Sequence, residues 1–180
     1  MGKKVLILSA SPRNNSNSHA LAEAFARGAA ERGHEVELLS LRGKDIRFCQ
    51  GCFACQKTGK CVIRDDMAEI VEKMEKADVL VFATPIYYYE MSGQMKTLLD
   101  RANPLYTLDY RFRDVYFLSA AAEEEETVPR RAQSGLEGWI ECFPKARLAG
   151  SVFGGGVTLT GEMKDHPRAL EAARELGAGV

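Results

Sequence analysis

The chain has 180 residues, of which 46% are hydrophobic and 27% are charged. This length and composition predict one globular domain and exclude collagen-like, disordered and coiled-coil proteins. The 24 Lys and Arg nearly balance the 25 Asp and Glu, and the formal net charge of −1 gives no sign of a nucleic-acid partner. The first apolar run, Val5–Leu8, is too short for a signal peptide or a membrane span. We therefore expect a cytoplasmic protein without a membrane partner.

Short apolar runs alternate with segments of helical period along the whole chain. Five runs predict buried strands, at Val5–Leu8, Val36–Leu41, Val79–Ala83 (ended by Thr84-Pro85), Val115–Leu118 and Leu148–Phe153. The intervening segments carry apolar side chains at helical spacing, around Leu21, Ile70, Leu98, Leu136 and Ala173, and Gly177 is expected to end the last helix. This alternation predicts an α/β domain spanning residues 1–180, with a parallel sheet between two layers of helices.

A polar loop, Ser9–Ser18, joins the first predicted strand to the first predicted helix. Ligands of parallel sheets bind beyond the carboxyl ends of the strands, which places this loop at a candidate site. Ser16 to Ser18 fall at a helix N-terminus, where free N–H groups and the helix dipole favour an anion. The loop has no Lys and no Gly, so it is neither a P-loop nor a dinucleotide fingerprint. It favours a phosphomonoester, with an ordinary polar loop as the alternative.

Three consecutive tyrosines, Tyr87, Tyr88 and Tyr89, follow the third predicted strand. They cannot all face a core, and aromatic rings at a strand end suit a planar heteroaromatic ligand. A core or subunit-interface patch is the alternative. The glycines Gly154–Gly156 after the fifth strand predict, by themselves, a flexible turn. The run Glu123–Glu126 predicts a solvated loop.

Four of the five cysteines lie in one stretch without clear periodicity, at about residues 42–64. Their C-x2-C-x2-C-x5-C spacing fits an iron–sulfur cluster better than zinc, which usually takes two separated C-x2-C pairs. Free thiols or a redox disulfide remain alternatives. The four candidate metal ligands are Cys49, Cys52, Cys55 and Cys61. The fifth cysteine, Cys142, is expected to be a buried apolar residue of the fourth helix.

Taken together, these segments resemble the flavodoxin-like NAD(P)H-dependent FMN reductases and, within them, the iron–sulfur flavoproteins. The resemblance covers nearly the whole chain, in the same order. It rests on SPRNNSNS at residues 11–18, the cysteine spacing followed by Asp65-Asp66-Met67, the Thr84–Tyr87 segment, and Gly93–Lys96 with Asp100-Arg101.

The resemblance implies a flavodoxin-like, doubly wound three-layer sandwich with a five-stranded parallel sheet of order 2-1-3-4-5. It implies that the FMN phosphate is held by Ser9, Ser11, Arg13, Ser16, Asn17 and Ser18. It implies that the isoalloxazine and ribityl chain are bordered by Pro85, Ile86, Tyr87 and Tyr88. A homodimer or homotetramer and, in some relatives, a [4Fe-4S] cluster are also implied. One departure is the loop Ser119–Ala122, which is glycine-rich in similar proteins.

The predicted function is an FMN-dependent NAD(P)H oxidoreductase that passes electrons to a quinone, a flavin or a redox protein. FMN carries the redox chemistry and hydride transfer needs no protein acid or base, so we nominate no catalytic residue. The alternative is an iron–sulfur flavoprotein that acts as an electron-transfer carrier without substrate turnover of its own.

Overall fold

A computed structural model describes residues 2–180, and its centre is a parallel sheet. The strands are β1 (Lys4–Ser9), β2 (Glu35–Ser40), β3 (Val79–Tyr87), β4 (Glu90–Met91), β5 (Asp114–Ala120) and β6 (Arg147–Gly154). Five of them are parallel in the order β2-β1-β3-β5-β6, and the two-residue β4 pairs antiparallel with the end of β3. The predicted order of five parallel strands is confirmed, with β4 as an addition.

Helices cover both faces of the sheet, as predicted. They are α1 (Asn17–Glu31), α2 (Ala54–Thr58), α3 (Met67–Lys76), α4 (Gly93–Arg101), α5 (Arg130–Glu141) and α6 (Pro167–Ala178), with 3₁₀ turns at Asn103–Tyr106 and Glu162–Asp165. One apolar cluster joins the sheet to α1 and α6, and a second joins it to α3, α4 and α5. Within residues 2–180, every helix is too short or too polar to span a bilayer.

The third strand is longer than predicted. We expected Thr84-Pro85 to end it, but β3 continues through Pro85, which lies opposite Ala120, to Tyr87. Proline lacks an N–H but has a φ compatible with extended backbone, so the end of a strand tolerates it. The extension carries the chain beyond the sheet edge and into the turn that leads to β4.

Two further expectations are wrong. Gly177 does not end α6, which continues to Ala178. A Cβ at Gly177 would lie 2.1 Å from the Phe25 carbonyl oxygen, and one at Gly28 would lie 1.9 Å from that of Arg174. These glycines therefore allow α1 and α6 to touch backbone to backbone. Cys142 is exposed rather than buried, and it follows the last residue of α5.

Candidate functional site

The carboxyl ends of β1, β3 and β5 open onto a cleft of about 380 Å³, which we call the strand-end cleft. The structure brings nine of the ten predicted FMN-contacting residues to its walls. They are Ser11, Arg13, Ser16, Asn17, Ser18, Pro85, Ile86, Tyr87 and Tyr88. Residues outside those ten complete the walls: Tyr89, Ala120, Ala121, Ala122, Glu123, Val157, Thr158 and Thr160.

Hydroxyl groups and helix N–H groups converge at one end of this cleft. Ser16 caps α1 by accepting a hydrogen bond from the His19 N–H at 3.3 Å, and its Oγ lies 3.2 Å from that of Ser18. Ser11, Ser16 and Ser18 are buried from solvent, yet all three line the cleft. The first N–H groups of a helix have no carbonyl partner within it, so this end offers donors and a positive dipole end to an anion.

Two of the predicted phosphate contacts have structural partners. The Ser9 hydroxyl lies 2.9 Å from His19 Nδ1, and Ser9 is not on the cleft wall. The Asn17 carboxamide donates to the Leu159 carbonyl at 2.8 Å and accepts from the Met163 N–H at 3.0 Å. Asn17 therefore holds the segment after β6 against the first loop. The partners are more than 140 residues apart in the chain, so no local sequence pattern predicts these contacts.

Arg13 supplies the positive charge of the strand-end cleft. Its Nη1 donates to the Thr158 carbonyl at 2.8 Å, which fixes the side chain across the opening. Among the residues of the described chain that line this cleft, Arg13 is the only Lys or Arg, and Glu123 is the only carboxylate. The guanidinium retains further N–H donors for an anionic ligand.

The tyrosines form a tight turn at the cleft mouth. Tyr88 and Tyr89 link β3 to β4 and adopt φ values of 50° and 66°. Two-residue hairpins of this kind favour Asn-Gly, and bulky residues at positive φ carry a strain of roughly 1–3 kcal/mol each. Tyr88 is 98% exposed, while the Tyr89 ring lies 5.6 Å from the Arg131 guanidinium. The core alternative therefore does not apply to these rings, which border the cleft.

Small residues at the end of β5 and directly after it line another part of the cleft. Ala120 and Ala121 are buried, and the glutamates that follow are exposed, as predicted. Gly155 packs against this loop, since a Cβ there would lie 2.6 Å from the Glu123 carbonyl oxygen. The Gly156 N–H also donates to that oxygen at 3.1 Å. The glycine run is thus a close-packed support rather than the flexible turn that its composition predicted.

The donor set fits FMN. Hydroxyls, helix N–H groups and one guanidinium lie at the end that a phosphate would occupy. The tyrosine turn and three consecutive alanines line the same cleft. A phosphomonoester joined to a planar ring system has the same order of polar and apolar parts.

A second cleft, of about 780 Å³, adjoins the first and shares Ser11, Arg13, Ser16 and Thr160 with it. We call it the cationic cleft because Arg13, Arg27, Arg42 and Lys164 line it and Glu23 is its one carboxylate in the described chain. Its cations come from four separate segments, so the sequence did not reveal the cluster.

The four cysteines of residues 42–64 have free thiols and line one small cavity of about 20 Å³, which we call the cysteine cavity. Burial raises the pKa of the Cys55 thiol, and its proximity to the other three raises it further. Across residues 2–180, no three His, Cys, Asp or Glu side chains are grouped closely enough to hold a single metal ion. The thiols thus surround a common space without forming a ready-made zinc site.

A buried ion pair supports the cysteine cavity. Arg101 donates to Asp65 twice, with Nη1–Oδ2 at 2.6 Å and Nη2–Oδ1 at 2.9 Å. Burial opposes the charge of Asp65, but hydrogen bonds from Arg101 and from the Arg47 and Met67 N–H groups lower its pKa to about 2. Arg101 lines the cavity and its buried Nε has no hydrogen-bond partner. This unpaired donor beside four thiols fits a negatively charged sulfur group.

The strand order and the helices on both faces of the sheet define a flavodoxin-like α/β protein with a cleft at its strand ends. The NAD(P)H:quinone oxidoreductase of Methanothermobacter marburgensis has the same fold. It superimposes with a TM-score of 0.76 over 99% of this chain and 96% of its own, at 21% identity. A family model described as NADPH-dependent FMN reductase matches residues 3–133, and the chain belongs to that family.

Two curated relatives are iron-sulfur flavoproteins. That of Methanocaldococcus jannaschii is 41% identical over 102 residues, which are 57% of this chain and 53% of the relative. That of Archaeoglobus fulgidus is 32% identical over 173 residues, which are 94% of this chain and 75% of the relative. The match thus spans about half of the first relative and three quarters of the second.

Proposed function

We propose that this protein is an FMN-dependent NAD(P)H oxidoreductase. The observation that carries the proposal is the strand-end cleft, which hydroxyls, one guanidinium, three tyrosines and three alanines line together. Membership of the FMN reductase family supports the same cofactor. FMN, when bound, supplies the acceptance of a hydride and the release of electrons singly or in pairs.

The residues of the first loop hold the phosphate. Ser11, Ser16 and Ser18 offer hydroxyls from buried positions, the N-terminus of α1 offers N–H groups, and Arg13 offers charge. Because these groups are already fixed by the Ser16 cap and by the Arg13–Thr158 contact, little ordering is needed on binding.

The remaining walls orient the ring. Tyr87 and Tyr88 border it at the cleft mouth, and Ala120–Ala122 leave space on the opposite side. No side chain is required to take or give a proton, so the contribution of the protein is placement and the exclusion of water.

The cationic cleft supports a pyridine nucleotide as the electron donor. NADH and NADPH carry a pyrophosphate, and the excess of cations over the single Glu23 attracts such anions. If this is correct, Arg42→Glu raises the KM for NADPH several-fold while the Kd for FMN stays unchanged, because Arg42 lines only the cationic cleft.

We further propose that Cys49, Cys52, Cys55 and Cys61 hold a [4Fe-4S] cluster. Four free thiols line one cavity beside an unpaired buried donor, and the two curated relatives are named iron-sulfur flavoproteins. The four thiols that line one cavity also favour a second candidate function, an electron-transfer carrier without substrate turnover of its own. Oxidation of NADPH in the presence of a quinone separates the enzyme from the carrier.

Absorption spectra of anaerobically purified protein test both cofactors. We expect flavin bands, and about four iron and four sulfide per chain that Cys52→Ser abolishes. Flavin bands still absent after reconstitution with excess FMN would contradict the oxidoreductase. Iron-free protein with full activity would contradict a role for the cluster.

The phosphate end is tested by comparing FMN with riboflavin, which lacks the phosphate. We expect FMN to bind more tightly, and Arg13→Gln to weaken FMN about tenfold, or about 1.4 kcal/mol, without affecting riboflavin. An equal loss for both flavins would show that Arg13 does not contact the phosphate.

A homodimer or homotetramer is also proposed, and light scattering coupled to gel filtration measures the oligomeric state.

A further inference from the structure

The last residue of α4, Arg101, is buried at the wall of the cysteine cavity. Its side chain is 1% exposed, and it lines the cavity together with all four cysteines. Arginine is almost never fully buried unless its charge and its donors are matched. Each nitrogen of this guanidinium is therefore expected to have a hydrogen-bond acceptor.

The outer part of the guanidinium is matched by protein groups. Nη1 donates to the Arg47 carbonyl at 2.6 Å and to Asp65 Oδ2 at 2.6 Å, and Nη2 donates to Asp65 Oδ1 at 2.9 Å. These contacts hold the planar group in one orientation. They attach α4 to both sides of the four cysteines, at Arg47 before Cys49 and at Asp65 after Cys61. We call the stretch at about residues 42–64 that holds these cysteines the cysteine segment.

The third guanidinium nitrogen, Nε, differs from the other two. Arg101 Nε is buried and has no hydrogen-bond partner within the described residues. Cys61 and Arg101 line the same cavity. Burial lowers the pKa of Arg101, but interactions with Asp65 and Cys61 raise it above its ordinary value. Buried N–H groups without a partner are rare, and this one belongs to a side chain that lines a cavity with four thiols.

We propose that Arg101 is a positioning residue that donates its Nε–H to the Cys61 sulfur of the assembled iron–sulfur cluster. The inference rests on the proposed cluster at the four cysteines. A hydrogen bond and a fixed positive charge stabilise the more negative, reduced form, so Arg101 raises the reduction potential of the cluster. Asp65 fixes the guanidinium so that Nε, the one guanidinium nitrogen without a partner among the described residues, keeps its N–H for sulfur.

The first test uses the unaltered holoprotein, prepared with arginine that carries ¹⁵N at Nε only. Pulsed electron paramagnetic resonance of the reduced cluster is expected to show coupling to this nitrogen. The coupling should be absent from Arg101→Lys, and it should persist in Arg111→Lys, whose guanidinium pairs with Asp78 elsewhere on the surface. A cluster signal without any arginine coupling would overturn the inference.

The second test is the reduction potential itself, measured by spectroscopic titration. Arg101→Lys keeps the charge but removes Nε–H, and we expect at least a tenfold shift of the one-electron equilibrium toward the oxidised form, equal to 59 mV. Arg111→Lys should leave the potential unchanged. An unchanged potential in a folded, iron-loaded Arg101→Lys variant contradicts the proposal. If that variant does not fold, the labelled wild-type protein decides.

Iron and sulfide analysis of the wild-type protein distinguishes the failure of the proposed cluster from the failure of the role proposed for Arg101. A protein that binds no iron under anaerobic reconstitution overturns both the cluster and the inference. A protein with a full cluster but without coupling to arginine overturns only the role of Arg101.

Discussion

The strand-end cleft and the cysteine cavity are held in place by different kinds of interaction. The cleft lies at the ends of three parallel strands whose register is fixed by many backbone hydrogen bonds. The cysteine segment is largely irregular, and the buried pair of Arg101 and Asp65 attaches it to the rest of the domain. We therefore expect a substitution in the cleft to change stability or FMN affinity moderately. The loss of one member of the buried pair at the cysteine segment should cause a large loss of stability.

The largest effect is expected from Asp65→Ala. It leaves the Arg101 charge buried without its partner, and breaking such a pair costs about 3–5 kcal/mol. The free energy of unfolding in urea measures the loss. Asp109→Ala, which removes an exposed partner of Lys145, is the matched control and should change stability by less than about 1 kcal/mol. Similar losses in both variants would remove the contrast between buried and exposed pairs.

The same pair makes stability depend on pH in the acid range. The pKa of Asp65 is about 2 in the folded protein, against about 3.9 for an unfolded chain. A lowered pKa stabilises the fold above the unfolded value, so this contribution is complete above about pH 4 and declines as the pH falls toward 2. It amounts to about 2–3 kcal/mol. The stability difference between wild type and Asp65→Asn should shrink over that window, and a constant difference would contradict the assignment.

Behind the wall of the strand-end cleft, Gly155→Ala should have a smaller effect than the loss of Asp65. The new methyl group would meet the Glu123 carbonyl at 2.6 Å, and the loop must move at a cost of about 1–3 kcal/mol. We expect FMN to bind about tenfold more weakly in a fluorescence titration. Gly138→Ala, in open space on α5, is the control and should raise stability by about 0.5–1 kcal/mol. Unchanged FMN binding in Gly155→Ala would show that this loop does not shape the cleft.

The smallest effect is expected at the tyrosine turn. Tyr88 is 98% exposed with φ of 50°, and Asn tolerates this backbone better. Tyr88→Asn should therefore raise the unfolding free energy by about 0.5 kcal/mol and weaken FMN binding two- to fivefold. A stability gain without any loss of binding would show that the exposed ring does not contact the flavin.

Much of the framework was readable from the sequence because its signals are local. Runs such as Val5–Leu8 and the helical spacing around Ile70 depend on neighbours within a few residues, and the structure confirms both elements. The polar loop before α1 was also recognisable as a candidate site, since ligands of parallel sheets bind beyond the carboxyl ends of the strands and a helix N-terminus favours an anion.

The parts that the sequence did not predict depend on distant contacts. Asp65 and Arg101 are 36 residues apart, and only their folded positions show that they share a buried site. The continuation of β3 past Pro85 depends on its pairing with Ala120. Gly177 was misjudged because its role, close contact with Phe25, cannot be distinguished from a helix end by composition.

The double hydrogen bond of Asn17 has a consequence for how a ligand reaches its place. Because this carboxamide joins the first loop to residues 159–163, that side of the crevice can widen only if both bonds break. The hairpin at Tyr88 has no comparable fastening on its outward side, where the ring faces solvent. We expect a flat molecule to enter and leave past this hairpin, so its motion, rather than that of the fastened side, would govern the rate of exchange.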